Sequence, residues 1–494
     1  MLFLSADMIK KAEVRAMESV SSLQLIENAA EALYNELKDF NSVRIYCGKG
    51  NNGSDGYATA LLLKKNGIYA EIVQVFPPQS EDAVLLCNKA TEAGIPVLSS
   101  VSFPTRHFDC ALDALFGIGI RGEITDPLAI KAIDVINSSS YIVSADIPSG
   151  MDADTGEVCG TCVRADKTVT FTAPKKGMIE NSSVDLCGEI IVAEVGIGVD
   201  YSTCTKSTCV PITKKLVKAI LPERKRYSHK GTFGTAVIVA GSSTMPGACA
   251  MAAMAALRSG CGLVKVIAPV SICRVLNILI KEAIVIPAPE QNGIIKPELT
   301  PEAMYAIKTA DSILVGCGLG NGAHHVLIAN ILSECSCSVI IDADGINALR
   351  GNLDVIKNKN ILLTPHVKEF SRISGHTVSE IENNRINIAD TFARENGIHL
   401  LLKGARTVIT YGGSNKYVSI EASSALSKPG SGDVLAGITV SLAAQRISLT
   451  DSAVAACLIH TGCGMIAEKE IGAYGTTSDD LIKLIPRAIK QIQN

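Results

Sequence analysis

"SVRIYCGKGNNGSDGYATALLLKK", residues 42–65, joins two apolar runs of different period through a polar turn dense in glycine. The first run alternates Val43, Ile45 and Cys47, the period of a strand. The second reads as a helix to about Lys65, with Gly67 beyond it as a left-handed stop. Asn-Gly would mark a hairpin if a second strand followed; a helix follows instead. A strand that turns directly into a helix is the repeating piece of a parallel, doubly wound sheet.

The same alternation extends on both sides. "SLQLIENAAEALYNELK" (22–38) carries Ile26, Ala30, Leu33 and Leu37 at helical spacing behind Ser21 or Ser22 as cap. "IYAEIVQVF" (68–76) is a strand, a helix spans about 81–93, and "FDCALDALFGIG" (108–119) is an apolar strand ending in glycines. "DPLAIKAIDVINS" (126–138) is a helix with Pro127 in its first turn, and "YIVSADIPSG" (141–150) is a strand with a polar exit. Polar "DYSTCTKSTCVPIT" (200–213) interrupts the pattern, so domains of 1–210 and 211–494 are expected. The second part repeats the theme. Strands are expected at 234–242, 262–269, 312–320, 339–347, 360–366 and 399–412. A small-residue helix is expected at 248–260, and the last two helices at 432–446 and 452–470.

With 47% apolar and 19% charged residues, the chain can fill packed cores. A net charge of −3 gives no basic field for nucleic acid, and the absence of Trp disfavours base-stacking platforms. The amino terminus lacks a basic segment before a long apolar run, so a soluble, cytoplasmic domain is expected there rather than a signal peptide. Apolar stretches are interrupted well short of about 20 residues, so no membrane span is expected. Sixteen cysteines then read as reduced, mostly buried thiols. Cys159 and Cys162 in "CGTC", with Cys204 and Cys209, have poor spacing for zinc and no histidine near. The CxxC lies on a turn running into a strand rather than at a helix start, which disfavours a redox site.

In a parallel sheet, ligands bind at the carboxyl ends of the strands. Gly53 and Gly56 let a backbone approach closely, and the helix behind them can hold phosphate; an ordinary strand–helix turn fits those residues equally. Two further strand ends add weight. Asp113 lies just before a glycine turn, and Asp146 and Ser149 lie in "ADIPSG". An aspartate inside an apolar strand is costly to bury without a donor or cation. Asn52, Asp113 and Ser149 bring oxygen ligands to one edge, and a single carboxylate among neutral oxygens suits a monovalent cation.

"NNGSDGYATALLL" (51–63), "DALFGIGIRGE" (113–123) and "ADIPSGMDADTG" (145–156) resemble, in order, the signature blocks of the YjeF amino-terminal family, the NAD(P)HX epimerases. Ser54 replaces the usual glycine. The resemblance implies a Rossmann-like domain that interconverts R and S forms of hydrated NADH and NADPH. It implies substrate contacts from Asn51, Asn52, Gly53, Ser54 and Asp55, from Gly117, Ile118, Gly119, Ile120, Arg121, Gly122 and Glu123, and from Asp146. It also implies K+ on Asn52, Asp113 and Ser149. Asp146 is the expected proton-handling group.

"SKPGSGDVLAG" (427–437) sets Gly430, Ser431 and Gly432 at a helix start, a nest of N–H groups for a transferring phosphoryl group. Asp433 stands beside it, placed to accept the proton of an attacking hydroxyl. No Walker A sequence or kinase catalytic loop is present. GSGD resembles the ribokinase-like class. Residues 230–266, "VGCGLG" (315–320), "IDADGIN" (341–347), "TPHVKEF" (364–370) and "LLKGARTVI" (401–409) resemble the NAD(P)HX dehydratase family.

That second resemblance implies a ribokinase-like α/β sandwich. Ala248, Gly318, His366 and Asp433 would face NAD(P)HX. Lys403, Gly404, Ala405, Arg406, Thr407 and Gly432 would contact ADP or ATP with Mg2+. His366 judged alone would cap a helix. "KEAIV" (281–285) departs from the family pattern at Lys281 and retains Glu282. The combined reading is a bifunctional repair enzyme, a homo-oligomer acting on NADHX and NADPHX, with ADP favoured over ATP. A small-molecule kinase of the ribokinase class fused to a binding domain is the alternative, and a non-catalytic scaffold a further one.

Overall fold

The computed structural model describes residues 2–99, 101–102, 104–180, 183–199, 209–322, 324–413 and 415–494. The chain divides into two compact units, Met1–Thr205 and Lys206–Asn494.

In the first unit the strands are Ser42–Cys47 (β1), Tyr69–Gln74 (β2), Val97–Leu98 (β3), Cys110–Ala114 (β4), Ile142–Ala145 (β5), Lys167–Phe171 (β6) and Glu189–Ala193 (β7). They form a parallel sheet in the order β3-β2-β1-β4-β5-β6-β7. The order reverses beside β1, the switch point at which such sheets open a crevice. Val43, Ile45 and Cys47 pack on one face with helices Ser22–Leu37 and Asn51–Lys65. Tyr46 packs on the other face with Ala132, Ile133 and Ile136 of helix Pro127–Asn137. The strand is therefore buried along both faces, not half-buried as alternation alone would suggest. Even Arg44 is interior, held by Glu71 at 2.8 Å and the Ser102 carbonyl at 2.9 Å. The expected caps are present: Ser21 accepts from Gln24 N–H, and Asp126 from Leu128 and Ala129 N–H ahead of Pro127.

The second unit adds Cys209–Ile212 (β8), Thr235–Val239 (β9), Leu263–Pro269 (β10), Ile284–Ala288 (β11), the ribbon Glu290–Gln291 (β12) and Ile294–Ile295 (β13), Ser312–Val315 (β14), Ser338–Ile341 (β15), Ile361–Leu363 (β16), His399–Leu402 (β17), Val408–Thr410 (β18) and Lys416–Ser419 (β19). Ten of them make one sheet, β11-β10-β9-β14-β15-β16-β17-β18-β19-β8. It is parallel except where β18 runs antiparallel to β17 and β19. Ile238, Leu314, Ile340 and Leu362 face helices Pro246–Arg258, Ser431–Ala444 and Leu449–Glu470. Val239, Val315, Ile341 and Leu363 face the opposite core. At about 1.5–3 kcal/mol for each buried aliphatic side chain, these two layers clamp the sheet between helices, an α/β sandwich.

Several elements differ from expectation. "HLLLKGARTVITYG" is a hairpin of two strands, not one strand, because Gly404 and Ala405 turn the chain. Cys209–Ile212 of the interrupting segment is an edge strand paired with β19, a position that tolerates Pro211; Cys204 lies outside the described residues. A further helix, Ser478–Gln493, follows the two expected last, capped by Thr477 and burying Leu481, Ile482, Ile485, Ala488 and Ile492 despite an internal Pro486. Helix Leu449–Glu470 is long and apolar enough to cross a membrane by length and composition, yet 78% of its apolar window is buried inside this unit.

Candidate active sites

Glycine decides how the first crevice is built. A Cβ on Gly48 would lie 1.8 Å from the Leu115 carbonyl oxygen, one on Gly53 2.1 Å from that of Gly48, and one on Gly56 2.8 Å from Cys47 Sγ. Only bare backbone lets helix Asn51–Lys65 start flush against β1 and the exit of β4. Gly50 precedes that helix without a side-chain cap, so its leading N–H groups remain available.

Asn52, Asp113 and Ser149 meet at this edge. The Asn52 amide donates to the Phe116 carbonyl at 2.9 Å. The Ser149 hydroxyl accepts from Phe116 N–H at 2.8 Å and donates to Asp113 at 2.6 Å. Asp113, fully buried, also accepts from Ser144 Oγ at 2.8 Å, Ser149 N–H at 2.9 Å and Leu115 N–H at 3.3 Å. Burial lifts its pKa, and these donors oppose the lift. Gly117 adjoins Asn52, whose Cγ would lie 3.6 Å from a Cβ on that glycine. Oxygens of one carboxylate, an amide, a hydroxyl and a carbonyl crowd one point, a set that fits a weakly hydrated monovalent cation and not zinc.

Asp146 stands next to this cluster in sequence and in unusual backbone. Its φ is +67°, and Ile147 N–H reaches back to Ala145 O at 2.8 Å. Thr172, at the exit of β6, repeats the device with φ +71° and Ala173 N–H to Phe171 O at 2.8 Å. These are γ-turns of the strained, positive-φ kind, and each such residue costs of order 1–3 kcal/mol. They turn the Asp146 carboxylate onto the Lys175 ammonium, which is fully buried and also donates to Thr170 Oγ1 at 2.8 Å and Phe171 O at 3.1 Å. Lys175 escaped the sequence reading: "TAPKKG" (172–177) has no periodicity to mark it.

Asp55 is buried, and its pKa is pushed well up by burial, then by the charges of Asp146 and Glu13. Ser54 Oγ is buried without a hydrogen-bond partner among the described residues. Asn51 is exposed. Within the turn Gly117–Glu123, Arg121 is tied to Asp152 at 3.2 Å and Asp154 at 2.7 Å. Cys159 and Cys162 are buried, and burial raises both thiols.

In the second unit Gly430, with φ +85°, starts helix Ser431–Ala444. That helix can lie close on Pro246–Arg258 only because Gly437 lacks a Cβ, which would meet the Ala252 carbonyl oxygen at 2.2 Å. Beside the helix start, Asp342 is 2% exposed and held by Lys403 Nζ at 2.9 Å and Thr364 Oγ1 at 2.7 Å. Burial alone would lower the Lys403 pKa; the Asp342 and Glu369 carboxylates outweigh it and raise it. A Cβ on Gly432 would lie 3.3 Å from that ammonium.

Asp433 makes no ion pair among the described residues, and the Lys403 charge acts on it only from a distance. Burial, then the Asp342 charge, raises its pKa to about 7. Its carboxylate, that of Asp342 and Cys317 Sγ lie within 4.8 Å of one another. The Cys317 thiol is driven up by burial and by Asp433, so it stays protonated. The two carboxylates fit a hard cation shared with phosphate oxygens; the thiol does not take part. Ser431 Oγ lies 3.0 Å from His460 Nε2, and burial brings that imidazole down to about 4, leaving it neutral.

The remaining expected residues divide. Gly318 touches Ala248, whose Cβ would be 2.9 Å from a Cβ on the glycine. His366 caps helix Val367–Ser374, accepting at Nδ1 from Lys368 and Glu369 N–H, while its backbone pairs beside Lys403. Gly404 and Ala405 are exposed at the hairpin, and the Thr407 hydroxyl donates to Gly404 O at 2.8 Å. Arg406 points the other way, buried with its guanidinium donating to Ile420 O at 2.8 Å. Lys281 and Glu282 lie on an exposed turn before β11. Asp342, Cys317 and His460 were not foreseen as site residues; only Asp342, inside "IDADGIN", carried a signal, a carboxylate at a strand exit.

Residues 22–177 match the family described as YjeF-related protein N-terminus, and residues 236–487 the family described as NAD(P)H-hydrate dehydratase. The bifunctional NAD(P)H-hydrate repair enzyme of Dictyoglomus turgidum is 31% identical over 100% of this chain and 99% of its own. The enzyme of the same description from Escherichia coli is 30% identical over 98% and 93%. A ribokinase-like superfamily protein from Enterococcus faecalis covers 58% of this chain and 97% of its own at TM-score 0.51 and 24% identity, a likeness of fold.

Proposed function

The chain belongs to the bifunctional NAD(P)H-hydrate repair enzymes, and from that premise we propose a division of labour between its two units. Residues 1–210 exchange the R and S epimers of hydrated NADH and NADPH. Residues 211–494 dehydrate the S epimer against ADP or ATP, releasing AMP or ADP and phosphate. The observation that carries the second half is Asp433: a carboxyl at a glycine-framed helix start, without an ion pair among the described residues, with its pKa raised to about 7.

The chemistry follows from the charges. The terminal phosphoryl group of the nucleotide seats on the N–H nest of Gly430–Gly432 and against the Lys403 ammonium, with Gly404, Ala405 and Thr407 supporting the nucleotide. Ala248, Gly318 and His366 bound the space for the nicotinamide ring. Asp433 accepts the ring hydroxyl proton as the hydroxyl oxygen takes the phosphoryl group; loss of phosphate from that carbon and of a proton from the adjacent ring carbon then restores the double bond. Mg2+, held through phosphate oxygens by Asp342 and Asp433, would neutralise charge that builds during transfer. ADP is the favoured donor.

In the first unit Asp146, backed by Lys175, handles the proton, and Asn51–Asp55 with Gly117–Glu123 surround the substrate. Asn52, Ser149 and the Phe116 carbonyl, with Asp113 behind them, would hold K+, which supplies a fixed positive charge for the anionic substrate. A cytoplasmic location is the expected one. A homo-oligomer is the expected assembly, to be read by light scattering.

The test incubates mixed R- and S-NADHX with ADP or ATP and follows the reduced-nicotinamide absorbance and inorganic phosphate. Conversion of both epimers with one phosphate released per NADH supports the reading. A phosphorylated product without phosphate release would favour a ribokinase-class kinase instead.

A further inference from the structure

One half-buried acid near Asp146 makes no hydrogen bond or ion pair of its own among the described residues. Glu13 lies on helix Ala6–Ala16, whose Ala6, Ile9 and Ala12 turn inward. Ile9 packs with Leu4 and Ala173, and Ile118 of the glycine turn packs against them. The segment before the helix runs beside Lys175: Leu4 N–H donates to Pro174 O at 3.0 Å, and Lys176 N–H to Leu4 O at 2.9 Å. Ala6 N–H is anchored on Asp154 at 2.8 Å. Glu13, one turn beyond Ile9, is thus carried within electrostatic reach of Asp146 and Lys175. It is half-buried, and its carboxylate makes no hydrogen bond or ion pair among the described residues. A carboxylate drawn out of water and left unpartnered has a cost that its own fold does not recover.

We infer that Glu13 is a second proton-handling group of the epimerase site, serving the hydroxyl of the hydrated ring while the Asp146–Lys175 pair serves the ring nitrogen. This rests on the epimerase reading above. The Glu13 carboxylate takes the hydroxyl proton, the C–O bond becomes a carbonyl, and the bond from that carbon to the ring nitrogen breaks. Its electron pair goes to nitrogen, which receives a proton lent from the Lys175 ammonium through Asp146. Rotation exposes the other carbonyl face, nitrogen closes on it, and each proton returns to its lender. No oxidant, reductant or further reactant is consumed. The charged groups facing Glu13 are Asp146 from β5, Lys175 beyond β6, Lys10 on its own helix, and Asp55 on helix Asn51–Lys65. Burial, then the Asp146 charge, raises its pKa, which makes it a stronger base than a free carboxylate.

The experiment uses the full chain as its own detector. Mixed R- and S-NADHX with saturating ADP gives a fast phase from S and a slow phase limited by epimer exchange, followed from about pH 5 to 9. Expected for Glu13→Gln is a slow phase reduced about 100-fold or more, with KM little changed and the fall of rate toward acid abolished. Glu13→Asp should restore much of the rate together with the acid fall. Exchange within about threefold of the unmodified chain with the acid fall intact, or a loss that Glu13→Asp shares in full, overturns the assignment. Absence of catalysed exchange in the unmodified chain would refute the epimerase reading itself and this inference with it.

Discussion

Asp433→Asn separates stability from catalysis in one substitution. The folded chain holds the Asp433 proton to about pH 7, against 3.8 for a free carboxyl. At about 1.4 kcal/mol per tenfold, the ionised group costs the folded state up to about 4 kcal/mol; its partial contact with water reduces this to about 2 kcal/mol. The folded state binds more protons than the unfolded one between those two values. Stability on this account is present in full below about pH 4 and is lost as pH rises through 7. Asparagine cannot ionise. The variant should therefore match the parent near pH 4, gain through neutrality, and melt roughly 4 °C higher at about pH 8. The transition to watch is the one that ADP shifts, since a two-unit chain need not unfold in one step. Dehydration should fall by a factor of about 100 to 10,000, with epimer exchange retained. A melting gain equal at pH 4 and pH 8 would refute the electrostatic argument, and near-full dehydration would refute the base assignment.

The same group sets a pH profile: the dehydration rate should drop tenfold per pH step below about 7, measured on S-NADHX alone, because only ionised Asp433 accepts the proton. Lys403→Met leaves Asp342 buried without its cation, so the second unit should lose about 3–5 kcal/mol in denaturant melts. Gly437→Ala drives a Cβ to 2.2 Å from the Ala252 carbonyl, and the small-residue helix pair should separate, seen as loss of the ADP-dependent transition. Ser149→Ala removes both an Asp113 partner and a hydroxyl proposed to hold K+, so epimer exchange should lose its response to replacing Na+ by K+ while the S-epimer phase remains.

Legibility in the sequence follows how local each signal is. The strand–turn–helix at 42–65 was readable because its determinants are local: alternation, a glycine at 53 whose built Cβ would lie 2.1 Å from the Gly48 carbonyl oxygen, and Gly67 at positive φ as the stop. Asn52, Asp113 and Ser149 could be grouped because parallel strands send their exits to one edge, and they do meet around Phe116. Lys175 could not, since its partner Asp146 is reached only through two positive-φ turns on adjacent strands. Asp342 and His460 take their meaning from Lys403 and Ser431, contacts across 61 and 29 residues. Helix Ser478–Gln493 was hidden by Pro486, which reads as a breaker although Leu481, Ile485, Ala488 and Ile492 keep the helical stripe. Arg406 shows the reverse: a loop block suggests a ligand contact, whereas the guanidinium serves a buried carbonyl.

The two units share a rule for telling a base from a support. Each places acids at the carboxyl edge of a parallel sheet, and each neutralises one with a buried lysine: Asp146 with Lys175, Asp342 with Lys403. An acid so paired acts together with its lysine as a unit rather than as a lone carboxylate. Acids without an ion pair among the described residues are the ones whose proton affinity burial raises: Asp433 in the second unit, and Glu13 and Asp55 in the first. The paired acid in turn lifts its neighbour through its negative charge, as Asp342 does for Asp433 and Asp146 for Glu13. Neutralising the paired acid should therefore make the unpaired one a weaker base: Asp342→Asn ought to move the acid limb of dehydration below about pH 7, even with Asp433 untouched. An acid limb that stayed in place would show that burial alone tunes Asp433.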